Sequence, residues 1–183
     1  AFYVYNTTKL GLVFMSRYIA AQITCLQAAP TGLIYPDLAE RNQIVAWNKM
    51  HRHAVYIGHE SPILAFEIAG RFLFSLGEGG EFLVFNVETR AVTKRHRFEN
   101  TDLTSLMHPP TYVNKMLFYG RESKRMELWN VVEMERIYAF EMTSPVEVVE
   151  QSPVIDVAAV GCSDGTIHLL NLLYDEKLLT FTH

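Results

Sequence analysis

A chain of 183 residues that is 49% apolar and 12% aromatic holds ample material for a packed core, which excludes a disordered tail. The net charge of −4 argues against a domain whose main task is to coat nucleic acid, because neutralising phosphates needs a concentration of Lys and Arg. Apolar residues come in short runs, far from the roughly 18 consecutive ones a membrane helix requires, so a soluble chain with no membrane partner is expected.

The first residues, AFYVYN, read as the middle of a strand, with no initiator Met and no cleavable apolar segment; a targeting signal would have to precede Ala1. Tyr5-Asn6 closes this run. An aromatic or apolar residue followed by Asn closes an apolar run again at Trp47-Asn48, Phe85-Asn86, Trp129-Asn130 and Leu170-Asn171, at intervals of 38 to 44 residues, and both tryptophans of the chain occupy this one position. Each later anchor follows a tight-turn cluster: ERNQ before IVAWN, EGGE before FLVFN, ESKR before MELWN, SDGT before IHLLN. Such clusters between β-branched and aromatic runs are hairpin signals. A further run lies upstream of each pair (ITCLQAA, ILAFEIA, DLTSLM, VEVVE) and another downstream (HAVYIG, AVTKRHRF, RIYAFE, LLTFT). Four strands every forty-odd residues is the signature of a β-propeller blade. The units run over about 1–16, 17–59, 60–98, 99–141 and 142–183, giving about four and a half blades in a single all-β domain over 1–183. A seven-bladed ring needs roughly 290 residues, so part of a larger propeller is expected.

Within this frame HPPTYVN (108–114) joins the first strand of the fourth unit to the second, KMLFYG. Proline fixes φ and has no amide hydrogen for a ladder, so Pro109 and Pro110 suit a strand exit; Pro153 repeats the arrangement in the fifth unit. The stretch VVEMER reads as a turn leading into an outer strand. Strands such as FLVFN and IVAWN, apolar at successive positions, predict sheets covered on both faces. Cys25 and Cys162, far apart in apolar surroundings, read as reduced, buried thiols.

Gly58-His59 and GCSDGTIHLLN resemble the WD-repeat family, in which a His, a Ser or Thr, an Asp and a Trp form a hydrogen-bonded tetrad within a blade. His59, Ser75 and Asp164 match such positions singly; Trp47 and Trp129 match the Trp position, where Phe85 and Leu170 stand in other units. No unit shows all four members, so packing is expected to hold the blades more than buried polar networks do. FYVYNTTKLGLVFMS, SLMHPPTYVNKMLFYG and QSPVIDVAAVGCSDGTIHLLN, in that order, resemble the amino-terminal propeller of the WD-repeat subunits of the small-subunit processome. The resemblance implies a nuclear, nucleolar scaffold among other propeller proteins of a multi-subunit ribonucleoprotein assembly. Pre-ribosomal or U-three RNA would lie nearby, and the role would be in pre-ribosomal RNA processing. The alternative is a WD-type adaptor that binds peptides in another cytoplasmic or nuclear complex.

No catalytic, metal or cofactor site is expected, and no small-molecule substrate. His51-Arg52-His53 lacks Cys or carboxylate partners at ligand spacing and reads as an exposed turn before the outer strand. Glu78 with Glu81, and Asp175-Glu176, read as solvated acids in turns. No nucleophile elbow or phosphate-cradling loop is present. Inner-strand ends offer Gln22, Thr24, Ser61 and Thr104, which is poor chemistry. Two basic clusters are the interaction candidates: Lys94, Arg95 and Arg97 in an outer strand, and Arg121, Lys124 and Arg125 at a strand turn. Replacing Lys94, Arg95 and Arg97 by Glu is expected to leave the fold intact while weakening assembly.

Overall fold

The computed structural model of the chain describes residues 2–16, 23, 25–29, 34–38, 42–48, 51–152 and 156–182. Among them, eighteen β-strands follow one another without an intervening α-helix. A hairpin of β1 (Tyr3–Tyr5) and β2 (Leu12–Met15) comes first. Four antiparallel four-stranded meanders follow, each pairing its strands in chain order. They are β3 (Leu26–Ala28) to β6 (His51–Ile57), with β4 (Ile34–Leu38) and β5 (Gln43–Asn48) between; and β7 (Ile63–Ala69), β8 (Phe72–Gly77), β9 (Glu81–Asn86) and β10 (Val92–Arg97). Then come β11 (Ser105–Met107), β12 (Lys115–Tyr119), β13 (Arg125–Asn130) and β14 (Glu135–Glu141), and finally β15 (Val146–Gln151), β16 (Val157–Cys162), β17 (Ile167–Asn171) and β18 (Glu176–Phe181). Every sheet falls inside one repeat unit of the sequence, and VVEMER is the expected turn into β14. His51, Arg52 and His53, read as a turn, are instead the first residues of β6; His53 is exposed, and the side chains of the other two lie outside the described residues. Gln22, Thr24 and Pro153 also lie outside them.

The chain forms two compact units, Ala1–Arg95 and His96–His183. In the first, the β3–β6 and β7–β10 sheets share a core that includes Tyr35, Ile44, Tyr56, Phe66, Leu73 and Phe85. In the second, Leu117, Leu128, Phe140, Val146, Val160 and Leu170 are part of the core between the remaining two sheets. Middle strands are buried on both faces, as in Phe72–Gly77 and Glu81–Asn86, whereas fourth strands such as β18 are exposed along their length. This is the burial expected of sheets stacked on sheets. Both cysteines are free thiols; Cys162 is buried as expected, whereas Cys25 is only half-buried.

The recurring Asn has a local cause. Asn6, Asn86, Asn130 and Asn171 each use Oδ1 to accept the backbone N–H groups two and three residues on, at 2.8–3.2 Å. The residue four positions after each, Leu10, Arg90, Met134 and Asp175, has φ between 50° and 63°. One turn is therefore built four times: the Asn side chain replaces a missing backbone partner, and a left-handed residue returns the chain into the fourth strand. The second sheet departs from it, with Asn48 facing His51 directly across the pair. Asn130→Ala is expected to cost about 1 kcal/mol, seen as a melting midpoint lowered by roughly 2–4 °C. Arg90→Gly, which removes the left-handed strain, is expected to shift the midpoint upward by a smaller amount. An unchanged midpoint for Asn130→Ala would mean that this turn closes without its side chain.

Candidate interaction surfaces and the polar clusters behind them

Antiparallel pairing places Gly77 opposite Glu81 and Ser75 opposite Leu83, so Ser75, Gly77 and Glu81 share one face of the β7–β10 sheet. His59, just before that sheet, enters this face. Its Nε2 lies 2.6 Å from Ser75 Oγ and its Nδ1 2.9 Å from Glu81 Oε2. Glu81 also accepts the Ser61 hydroxyl at 2.8 Å, the amides of Glu60 and Ser61 at 3.1–3.2 Å, and Arg95 Nη1 at 2.9 Å. A methyl group at Gly77 would stand 2.5 Å from Ser61 Oγ and 2.9 Å from His59 Nδ1, so the absent side chain makes the room that this cluster fills.

Burial pushes the Glu81 carboxyl up, but the hydrogen bonds of Ser61, His59 and the Glu60 amide outweigh it and hold it down at about 2. Burial lowers His59, against the pull of Glu81. A neutral imidazole donating from Nδ1 to Glu81 and accepting the Ser75 hydroxyl at Nε2 satisfies every group. Ser, His and acid are thus connected as in a nucleophilic triad. Ser75, however, is 0% exposed and the His59 and Glu81 side chains 1% and 2%, so no carbonyl substrate reaches the hydroxyl. The cluster is structural.

These contacts correct two expectations. His59 and Ser75, matched singly in sequence, meet within one sheet. Glu81 is not a solvated turn acid but the buried centre of a network, so polar contacts as well as packing hold this sheet. Ser61, set aside as poor chemistry, is one of its donors.

A second buried acid occupies the β11–β14 sheet. Glu127, 1% exposed, sits two residues before Trp129 on β13 and accepts its indole N–H at 2.8 Å. Asn100 Nδ2 donates to it at 3.3 Å, with Arg125 Nε and Arg136 Nη1 at 3.3 and 3.7 Å. Trp129 packs edge-on against Phe98, which also meets Phe118. At the other anchor positions Trp47 packs against Phe2, Phe85 against Tyr56 and His59, and Leu170 is fully buried. Asp164 caps its own turn, its carboxyl held down to about 2 by the Thr166 hydroxyl and amide. In that sheet buried His168 lies 2.9 Å from Thr180 and 3.4 Å from Thr143.

The basic residues consequently fall into two groups. Arg95 is committed to Glu81 and donates at 2.7 Å to the Gly58 carbonyl; Arg125 is ion-paired with Glu127. Arg121 and Lys124 are exposed on the turn before β13, Arg97 is exposed on β10 and Lys94 half-buried there. Arg95→Glu would set a carboxylate against buried Glu81, so the expectation that charge reversal leaves the fold intact does not hold at this position. We expect Arg95→Glu to cost about 2 kcal/mol or more and Arg121→Glu less than about 0.5 kcal/mol in urea unfolding. Equal effects would show that the Arg95 contact carries no weight. Thr104, one residue before β11, accepts the Arg121 amide through Oγ1 at 3.1 Å.

The corner 108–115 does more than leave a strand. The Tyr112 amide donates to Pro109 O, closing a turn, and Lys115 Nζ rests 4.4 Å from the Tyr112 ring centroid while donating at 3.0 Å to Leu172 O of the next sheet. Thr111 Oγ1 donates to Asp156 at 3.3 Å. Burial, the hydrogen bond to Asp156 and nearby carboxylates push the Tyr112 phenol up to about 12. The stretch is a clasp between the fourth and fifth units.

The model of the family described as the WDR36/Utp21 first beta-propeller matches residues 1–183. The chain is similar to WD repeat-containing protein 36 of Homo sapiens, at 27% identity over 184 residues, covering 99% of this chain and 20% of that protein. It is also similar to the U3 small nucleolar RNA-associated protein 21 homolog of Schizosaccharomyces pombe, at 25% identity over 190 residues, covering 98% and 20% respectively. The chain thus spans about a fifth of the length of these relatives. Among solved structures, the computationally designed Ika8 protein superposes with a TM-score of 0.76 at 16% identity, over 99% of this chain and 56% of that one, a likeness of fold alone.

Proposed function

Because the chain belongs to the WDR36/Utp21 first beta-propeller family, we propose that it is a non-enzymatic scaffold of the small-subunit processome. It acts in pre-ribosomal RNA processing and small-subunit assembly through protein–protein contacts, in the nucleus and nucleolus. The observation that carries this reading is the family match over residues 1–183. The name of the fission-yeast relative, which speaks of association with U3 small nucleolar RNA, supports it. So does the burial of Ser75, which keeps its His59-paired hydroxyl away from any substrate. Other propeller proteins are the partners, with pre-ribosomal or U3 RNA nearby. Arg121 and Lys124, exposed on the turn before β13, together with Lys94 and Arg97 of β10, are the cations proposed to meet acidic partner surfaces or phosphates.

Affinity purification of the full-length protein tests the reading. Recovery of U3 RNA together with other propeller subunits is the expected result. Recovery of a cytoplasmic or chromatin complex without that RNA would overturn it in favour of a peptide-binding adaptor.

A further inference from the structure

At one end of the two sheets of the second compact unit, the corner 108–114 and the turns after β13 and β17 lie together. The Val131 amide donates to Asn114 O and the Leu172 amide to Asp156 O, both at 2.8 Å, and Thr111 and Tyr112 reach Asp156 from the neighbouring sheet. On this platform Val113 is 82% exposed, Tyr174 71%, Val132 60% and Leu173 46%. Four apolar side chains at the tips of adjoining connections are more than the scattered singles a soluble surface shows. Around them stand Glu133, Glu135, Asp156, Asp175 and Glu176. The cations beside them are engaged elsewhere: the Lys115 ammonium on Leu172 O and the Tyr112 ring, Arg136 on buried Glu127 at 3.7 Å, and Lys177 on the Glu141 carbonyl. One carboxylate oxygen of Asp175 is buried without a hydrogen-bond partner among the described residues.

From this juxtaposition we propose that the platform around Val113 and Tyr174 docks a segment of another protein in which an apolar residue is flanked by Lys or Arg. The apolar residue covers Val113, Val132 and Tyr174, and the flanking cations meet the acidic rim, which also sets the register and turns away phosphate-rich partners. The inference rests on the scaffold reading and names one contact of that scaffold. It assigns protein rather than RNA to this end.

The test uses the full-length protein in its own cells, with the photoreactive amino acid p-benzoylphenylalanine in place of Val113. After irradiation, cross-linked peptides are identified by mass spectrometry. Adducts to a peptide of another subunit, apolar at its centre and basic on both flanks, are expected. Glu135→Lys with Glu176→Lys, both on exposed positions, is expected to lower their yield roughly fivefold with an unchanged melting midpoint. Adducts to RNA, to acidic or uncharged peptides, to this chain alone, or none at all would overturn the proposal, as would a yield indifferent to charge reversal. If U3 RNA and propeller subunits co-purify while the basic peptide is absent, this inference fails and the scaffold reading stands. A basic peptide recovered from a particle lacking that RNA supports the docking surface and overturns the processome assignment.

Discussion

Glu81→Ala is expected to destabilise the propeller by about 3 to 5 kcal/mol, a loss of roughly 6–20 °C in melting midpoint. Removing the carboxylate strands His59 Nδ1–H, the Ser61 hydroxyl and two backbone amides in a buried site, and frees Arg95 from its main anchor. Each unmet donor costs more than its hydrogen bond contributed. The pH dependence has the same origin. The Glu81 carboxyl falls from an ordinary 4.5 to about 2 on folding, so its stabilisation is complete above about pH 4.5 and is lost as pH falls toward 2. His59, lowered by burial, adds a loss of the same sign as pH falls below 6.5. Acid unfolding of the wild type should therefore be steep below pH 4.5, and the variant shallower over that interval. A variant within 1 kcal/mol of wild type, with an unaltered acid limb, would refute the network.

Gly120→Ala should cost about 3 kcal/mol in urea unfolding, the upper range for overpacking. On conformational grounds alone, Ala beside a strand is better than Gly by about 0.5–1 kcal/mol. Contact reverses the sign: a methyl group at Gly120 would stand 2.1 Å from the Asp102 carbonyl oxygen and 3.1 Å from its carbon. That neighbour is backbone, held by the Asp102 amide on Asn100 Oδ1 and by the Thr104 amide on Tyr119 O, so it cannot swing aside as a flexible side chain would. A neutral or stabilising substitution would show that the 100–104 loop yields.

Much of the architecture was legible because it repeats. Four anchors of aromatic or apolar residue plus Asn located the third strand of each four-stranded sheet, the turn clusters before them located the second, and the first anchor, Tyr5-Asn6, closed β1 of the opening hairpin. The chemistry of the Asn side chain then explains why the anchor recurs, since the same carboxamide oxygen closes the same turn at Asn6, Asn86, Asn130 and Asn171. The buried acids were less visible. An acid beside Gly79 and Gly80 ordinarily faces water, and only partners distant in the chain, His59 and Arg95, make Glu81 a buried one. A signal existed nonetheless: Glu81 heads a third strand that is apolar up to its aromatic anchor, and Glu127 stands among the apolar residues of another, between Met126 and Leu128. Such an acid must either face solvent or find donors, and in these sheets it finds donors. Gly120 carried no signal at all, because its requirement comes from the 100–104 backbone crossing above it.

The corner HPPTYVNK shows the same division. Its prolines identified a strand exit, whereas its role as a clasp depends on Asp156 and Leu172, more than forty residues away in sequence. Basic residues chosen for their charge divided likewise: buried Glu81 and Glu127 claim Arg95 and Arg125, partners that charge alone does not reveal.

The claim that Ser75, His59 and Glu81 brace a sheet as one buried network around a neutral imidazole is tested most directly by nitrogen-15 NMR of the His59 ring across a pH titration. A neutral ring protonated at Nδ1, titrating below 6.5, is the predicted result. An imidazolium at neutral pH, or a ring protonated at Nε2, would contradict it.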